Sequence, residues 1–256
     1  MGYPEGLLKT RAIIHAGEYA VIPPQGRVKN VIPGIQGCDM TILASPKLGA
    51  SFVQYVGTAH PGGGTEPPFA AQEDIESFIF VMDDEGQLAV STGNKKEILT
   101  PGGYFYAAPN SALSFTNPTD KPVRFLLYKQ RYIPCGADRP HDVFGNINDI
   151  PERIYDDMAN VFVRDLLPTD TRFDMNIPPL SFEPAGCHPF VETHVQEHGA
   201  YLLEGEGIYL LGEEWIQVEK EDFIFFGPYI QQAVYATVRG RLTYIYSKDC
   251  NRDIEL

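Results

Sequence analysis

Short runs of β-branched and aromatic residues, each closed by Gly, Pro, Asn or Asp, recur along most of this chain. Such residues favour extended backbone, and short runs separated by turn residues are typical of β-sandwiches and β-barrels. The 24 Gly and 21 Pro are spread over 256 residues rather than clustered, which excludes a helical bundle and predicts an all-β fold. The clearest predicted strands are Ala50–Val56, Ser77–Met82, Tyr104–Ala108, Val123–Lys129, Ala200–Leu203, Ile208–Leu211, Phe223–Phe226 and Leu242–Ser247.

The runs also form two similar halves. Glu76-Ser77-Phe78-Ile79-Phe80 in the first half resembles His198-Gly199-Ala200-Tyr201-Leu202 in the second, and this alignment places Glu76 opposite His198. Two tandem β-domains of one kind are the simplest interpretation. We therefore divide the chain into an N-terminal arm that packs on the domains (1–40), a first domain (41–135), a linker (136–176) and a second domain (177–256). The stretch from 150 to 170 is mixed, and the sequence leaves a short helix and an extended segment both open.

Charge and composition restrict the partners. The 34 acidic and 20 basic residues give a net charge of −14, so the chain repels polyanions and we expect no nucleic-acid partner. An anionic small molecule would need a local cation. No run approaches the roughly 18 to 20 apolar residues of a membrane span, and the first residues lack the pattern of a signal peptide. The four cysteines form no Cys-x-x-Cys pair and fit reduced thiols, so we expect a cytoplasmic protein without membrane contact.

Three of the six histidines lie within eleven residues: His188, His194 and His198. Glu192 and His194 are two residues apart, so on a strand they project from the same face. Two imidazoles with a carboxylate suit a divalent metal such as Mn²⁺ or Fe²⁺. The segment 194–198 also reads as His-x-x-Glu-His, a zinc-protease motif, but that motif needs a helix, which the neighbouring β-branched residues and Gly199 disfavour. We assign His188 a structural role, together with His15 and His141.

The spacing around these histidines resembles the first metal motif of the cupin superfamily. Gly186, Glu192, His194, His198 and Gly205 occur at that family's intervals, with Glu and His exchanged relative to the usual order. The second cupin motif falls on 221–232 and places Gln232 at a ligand position, although its Gly and Pro markers are poorly kept. In the first half the same turn is well kept, but Ser114 stands where Gln232 stands in the second.

The whole chain resembles the bicupin family of (S)-ureidoglycine aminohydrolases. The segments that carry this resemblance are 46–52, 173–176, 192–201 and 244–253. The resemblance implies two tandem cupin barrels (double-stranded β-helices, or jelly-rolls) and hydrolysis of (S)-2-ureidoglycine to (S)-ureidoglycolate and ammonia in purine and allantoin degradation. It further implies Mn²⁺ held by Glu192, His194, His198 and Gln232, with Tyr209, Tyr244 and Lys248 facing the substrate.

Lys248 has support from the strand pattern as well. It follows Leu242, Tyr244 and Tyr246 at even spacing, so on a continuous strand it shares their face. A lysine on an inward face is costly unless it meets an anion. We therefore predict that Lys248 and Glu192 are catalytic, with Lys248 holding a carboxylate or moving protons with Glu192, and that Glu192, Gln232, Tyr209, Tyr244 and Lys248 contact a small-molecule substrate.

Two other functions remain open from the sequence. Two histidines and a carboxylate with open positions also fit another metal-dependent cupin enzyme, a non-haem dioxygenase or isomerase acting on a small carboxylate. A non-catalytic bicupin that binds or stores a small ligand is the other. Because the first domain has lost the ligands, we predict that it is structural and contributes contacts to a homo-oligomer.

Overall fold

The protein is almost entirely β-structure. The computed structural model describes residues 11–82, 85–93 and 95–251, and within them it contains 22 strands and two short 3-10 turns, Pro24–Gly26 and Ile147–Asp149. The all-β prediction is thereby confirmed. No helix in these ranges is long and apolar enough to cross a membrane. The strands up to residue 146 are β1 (Ile13–His15), β2 (Tyr19–Ile22), β3 (Ile35–Ala44), β4 (Phe52–Thr65), β5 (Ile75–Val81), β6 (Leu88–Thr92), β7 (Lys95–Leu99), β8 (Gly103–Ala107), β9 (Leu113–Thr116), β10 (Val123–Arg131) and β11 (Val143–Asn146).

The remaining strands belong to the second half. They are β12 (Arg153–Tyr155), β13 (Met158–Val163), β14 (Met175–Asn176), β15 (Pro179–Phe182), β16 (His198–Glu204), β17 (Glu206–Leu211), β18 (Glu214–Glu219), β19 (Phe223–Phe226), β20 (Gln232–Ala236), β21 (Leu242–Tyr246) and β22 (Lys248–Asp249). The eight strands predicted from residue pattern all occur, and most of their ends differ by only a few residues. The exception is the strand predicted to end at Val56, which continues to Thr65 as β4.

Antiparallel sheets organise these strands into two barrels. A nine-stranded sheet in the order β11-β8-β5-β10-β4-β9-β6-β7, with β3 added on β4, curls around the core of the first barrel. An eight-stranded sheet in the order β1-β2-β19-β16-β21-β15-β13-β12 packs against the three-stranded sheet β18-β17-β20 around the core of the second barrel. A two-stranded pair, β14 and β22, lies outside both large sheets.

The chain path joins the barrels closely. Strand β2 pairs with β19, so the N-terminal arm adds two strands to the sheet of the second barrel before the chain builds the first barrel. The segment 136–176 supplies β11 to the first sheet and β12 and β13 to the second. The mixed stretch from 150 to 170 is therefore extended, and each barrel is completed by residues outside the domain bounds expected for it.

A third apolar core lies between the barrels. On β5, Ile79 and Val81 belong to the core of the first barrel, whereas Phe78 and Phe80 belong to the inter-barrel core, which also includes Tyr201 on β16. Side chains alternate across a strand, so a sheet between two cores is apolar on both faces. This is why these strands read as continuous hydrophobic runs.

The pairing register corrects the alignment of the two halves by one residue. Ile79 on β5 and Ala200 on β16 pair with corresponding residues of β8 and β19. Ser77, and not Glu76, therefore corresponds to His198. Because a one-residue shift moves a side chain to the other face of a sheet, Glu76 lies on the inter-barrel face and not in the first barrel.

Candidate metal centre

A small cavity in the second barrel brings the predicted site residues together. Its volume is about 30 Å³, which holds about two water molecules. All seven residues predicted from the sequence line it: Glu192, His194, His198, Tyr209, Gln232, Tyr244 and Lys248. Other lining residues, which the sequence did not assign to the site, include Tyr155, His188 and Tyr246. The cavity is therefore lined by both polar groups and aromatic rings.

His198 is held in a single orientation by the sheet. It is the first residue of β16, is 4% exposed, and stands edge-on to the rings of Phe226 and Tyr246. Its Nδ1 donates a hydrogen bond to the carbonyl oxygen of Ser247 at 2.7 Å. Since a carbonyl can only accept, Nδ1 carries the proton and Nε2 presents a lone pair to the cavity.

His194 faces His198 from the loop before β16. Its Nδ1 donates to the carbonyl oxygen of Gln196 at 3.0 Å, so its Nε2 also presents a lone pair, 3.3 Å from Nε2 of His198. Burial lowers the pKa of both imidazoles. The charge of Lys248 lowers both pKa values further, and His194 also lowers the pKa of His198. Two neutral nitrogens aimed at one point, each with its second nitrogen bonded to a carbonyl, fit the ligand arrangement of a divalent metal.

Gln232 supplies the third polar group at this point. Its Nε2 lies 2.8 Å from Nε2 of His194, and its Oε1 accepts a hydrogen bond from the hydroxyl of Tyr209 at 3.0 Å. The oxygen that we predicted as a metal ligand thus faces Tyr209 in this structure. A half-turn of the amide would exchange the two atoms, and the Tyr209 hydroxyl would then accept instead of donate.

Glu192 reaches the cavity through a backbone bridge to Gln232, with hydrogen bonds of 3.0 and 2.9 Å. Its Oε1 lies 3.8 Å from Nε2 of His188. Burial raises the pKa of Glu192, while the charge of Lys248 opposes that shift. Among the described residues no group of three or more His, Cys, Asp or Glu is assembled for a metal, so Glu192 does not form a three-ligand group with the two imidazoles in this structure.

His188, to which the sequence assigned a structural role, also lines the cavity. It is buried, and burial followed by the charge of His194 lowers its pKa to about 4. Its ring packs edge-on against Phe182, and its Nδ1 has no hydrogen-bond partner among the described residues. The clustering of three histidines within eleven residues was the available signal, because the two assigned histidines already marked the region as a site.

Lys248 lies in the cavity wall, but on a separate strand from the one expected. Strand β21 ends at Tyr246, and Lys248 begins β22, opposite Asn176 of β14. The lysine is half-buried, and its charge acts on Glu192, His194 and His198. A cation, a carboxylate and two neutral imidazoles therefore share one small cavity, a set of groups suited to a divalent metal ion with an anionic group beside it.

The fold defines a protein of the cupin class, and the comparisons agree. No protein-family model matches the chain. Over all 256 residues it is 46% identical to the curated (S)-ureidoglycine aminohydrolase of Escherichia coli, covering 97% of that protein. It is 30% identical over 94% of its length to a probable (S)-ureidoglycine aminohydrolase of Oryza sativa, covering 75% of that protein. The chain belongs to the (S)-ureidoglycine aminohydrolase family.

Solved structures support the same placement. The crystal structure of the Escherichia coli protein YlbA superimposes with a TM-score of 0.86 at 45% identity, with both chains fully covered. Oxalate decarboxylase of Bacillus subtilis, a bicupin with Mn(II) centres, superimposes with a TM-score of 0.67 at 10% identity, covering 94% of this chain and 79% of that one. The second likeness is one of fold, and it confirms the predicted cupin architecture.

Proposed function

We propose that this protein hydrolyses (S)-2-ureidoglycine to (S)-ureidoglycolate and ammonia, a step of purine and allantoin degradation. The observation that carries the proposal is the cavity in which the facing imidazoles of His194 and His198 share one wall with Glu192 and Lys248. Full-length identity of 46% to a curated enzyme of this name supports the choice of substrate.

The substrate carries an amine, a ureido group and a carboxylate on one carbon. In the reaction the bond from this carbon to the amine nitrogen breaks, a bond to a water oxygen forms, and ammonia leaves. A carboxylate entering a protein of net charge −14 needs a cation at its binding site, and Lys248 lies at the cavity. Lys248 would pair with the carboxylate, which orients the reacting carbon toward Glu192.

Glu192 is suited to proton transfer. Burial raises the pKa of its carboxyl, and a base is most effective when its pKa lies closer to the working pH. Glu192 would accept a proton from the attacking water and return one to the leaving amine. Burial also raises the pKa of Tyr209 and Tyr244, so both keep their hydroxyl protons and can donate hydrogen bonds toward the substrate.

We assign the metal site to Glu192, His194, His198 and Gln232, with Mn²⁺ as the ion. Two imidazole nitrogens and two oxygens suit Mn²⁺ or Fe²⁺ and satisfy four of six octahedral positions. When bound, the ion would supply Lewis acidity to the substrate. The carbonyl hydrogen bonds of both histidines support this assignment, because they fix the ring orientation that a metal ligand needs.

We further propose that the protein works in the cytoplasm as a homo-oligomer. All four cysteines are free thiols, which suits a reducing compartment. Ile208, Trp215 and Tyr235, on neighbouring strands of the three-stranded sheet, are 37%, 56% and 42% exposed and offer an apolar surface to another copy. This surface lies on the second barrel, in addition to the contacts predicted for the first.

Ammonia release from freshly generated ureidoglycine tests the function. We expect ammonia in proportion to enzyme, loss of activity with a chelator, and recovery on adding Mn²⁺. Oxygen consumption during turnover, with Fe²⁺ required in place of Mn²⁺, would instead indicate a dioxygenase. Purified protein that contains no metal and releases no ammonia would overturn the proposal in favour of a ligand-binding bicupin.

A further inference from the structure

Strand β16 separates the metal cavity from the first barrel. Ala200 and Leu202 face the core of the second barrel, and His198 on the same face lines the cavity. Tyr201, on the opposite face, belongs to the inter-barrel core. Side chains alternate along a strand, so Gly199 faces the first barrel. The residues on either side of His198 are therefore placed to contact the other domain.

Glu197, which precedes His198, is bound by the first barrel. The side chain is 5% exposed, and its carboxylate accepts hydrogen bonds from the backbone nitrogen of Ser51, at 2.9 and 3.2 Å, and from the Ser51 hydroxyl. Ser51 immediately precedes β4 of the first barrel. A buried carboxylate that lost these donors would pay a large desolvation penalty, so this contact fixes the end of the loop that leads into β16.

Gly199, which follows His198, packs directly on β4. A Cβ atom at this position would lie 2.8 Å from the ring of Phe52 and closer still to Oε1 of Gln54. That oxygen is buried and has no hydrogen-bond partner among the described residues. It instead lies against the backbone of Gly199. A side chain at this position would have to displace the buried ring of Phe52 and the amide of Gln54, or move β16 away from the first barrel.

The hydrogen-bond acceptor of His198 belongs to the same junction. The Ser247 carbonyl receives the Nδ1 proton of His198, and the Ser247 hydroxyl accepts the backbone N–H of Gly199 at 3.0 Å. The Ser247 side chain also interacts with the hydroxyl of Tyr128 on β10, which donates to Gln130 at 2.6 Å. Ser247 thus connects both the ring of His198 and the neighbouring backbone to the first barrel.

We propose that the first barrel positions His198 for metal binding, through the Ser51–Glu197 hydrogen bonds and the contact of Gly199 with Phe52 and Gln54. Ser51 and Gly199 act as positioning residues, since neither lines the cavity. The inference rests on the proposed metal role of His198. It gives the first barrel, which has no histidine at the equivalent position, a role in metal binding by the second barrel. Outer residues that orient metal ligands typically change metal affinity by about 10- to 100-fold.

The test is a Mn²⁺ titration of the metal-free, full-length protein, in which the EPR signal measures free Mn²⁺. We expect Gly199→Ala to weaken Mn²⁺ binding by about 10- to 100-fold and Ser51→Ala by about tenfold, the lower end of the range for such residues. Ser51→Thr keeps the hydroxyl and should restore binding. Gly240→Ala, at a glycine with open space around it, and Ser114→Ala, on β9, are matched controls that should bind as the wild type does.

Two further readouts separate positioning from loss of structure. Far-ultraviolet circular dichroism should show that the variants are folded. At saturating Mn²⁺, kcat should return close to the wild-type value, although the affinity for Mn²⁺ stays weakened. Unchanged Mn²⁺ affinity in both Gly199→Ala and Ser51→Ala would overturn the proposal while leaving the aminohydrolase function intact. Weakened binding in a protein that releases no ammonia would support positioning and reject the function, and a wild type that binds no Mn²⁺ would reject the positioning of a metal ligand.

Discussion

Lys248 illustrates how much a single residue carries in an acidic protein. It begins a two-residue strand beside the cavity, and its charge reaches Glu192 and both predicted histidine ligands. The net charge of −14 disfavours the approach of an anionic substrate in general. The role of this lysine therefore depends on its charge more than on its packing.

Replacing Lys248 by methionine tests that role, because methionine keeps an unbranched side chain and removes the charge. We expect kcat for ammonia release to fall by about 10²- to 10⁴-fold, the usual range for a group that takes part in proton transfer or positioning. Thermal unfolding should change little, and Mn²⁺ should still bind. Lys220→Met, at an exposed lysine, is the control and should retain activity. Comparable kcat values for the two variants would contradict the role of Lys248.

At the scale of elements, the turn before β4 holds the N-terminal arm in place. The backbone nitrogen of Gly17, in the β1–β2 turn, donates to the Leu48 carbonyl at 2.7 Å. Gly49 has a φ of +114°, and a Cβ atom there would lie 2.6 Å from the Cα of Gly17. Glycine is required at this position both by its backbone angle and by the close approach of the other turn.

Gly49→Ala should therefore destabilise the protein by about 1–3 kcal/mol, from backbone strain and steric overlap together. For a chain of this size, that lowers the unfolding temperature by about 2–4 °C per kcal/mol. Gly62→Ala is the matched control, because Gly62 also has a positive φ, +76°, but has open space around it. A calorimetric scan should show a larger loss for Gly49→Ala. Equal losses would mean that backbone strain alone accounts for the effect.

The elements also show what the sequence could and could not predict. Phe223–Phe226 was predicted with its observed ends, because turn residues close the run on both sides. The pairing of β2 with β19 was not predictable, since it joins residues about 200 positions apart and no periodicity records a partner. The seven residues predicted for the site came from motif spacing and resemblance, and all of them line one cavity. His188 was assigned a structural role although it belongs to the histidine cluster, because the motif gave it no ligand position, and Glu76 was placed one register off because the two faces of β5 are equally apolar.

At the scale of the whole molecule, a pair of buried acids joins the two barrels. Glu76 on β5 is fully buried and accepts hydrogen bonds from the Tyr106 hydroxyl and from Nε2 of Gln130, the latter at 2.6 Å. Asp174, from the segment that leads into the second barrel, is also fully buried and accepts the backbone N–H of Ile133 at 2.7 Å. Burial, followed by the charge of Asp174, raises the pKa of Glu76 well above its usual range, although the bonds from Tyr106 and Gln130 favour its charged form.

This pair predicts a pH dependence of stability. Because the pKa of Glu76 is higher in the folded than in the unfolded protein, its contribution is complete below the unfolded value of about 4.3 and is lost as pH rises through the folded pKa. The loss is at most about 1.4 kcal/mol per pH unit. Glu76→Gln stays neutral at every pH, so its unfolding temperature relative to that of the wild type should rise as pH rises above the unfolded value of about 4.3, as followed by circular dichroism. Glu73→Gln, at an exposed glutamate, should show no such trend. A pH-independent difference between Glu76→Gln and the wild type would show that Glu76 does not hold its proton in the folded state.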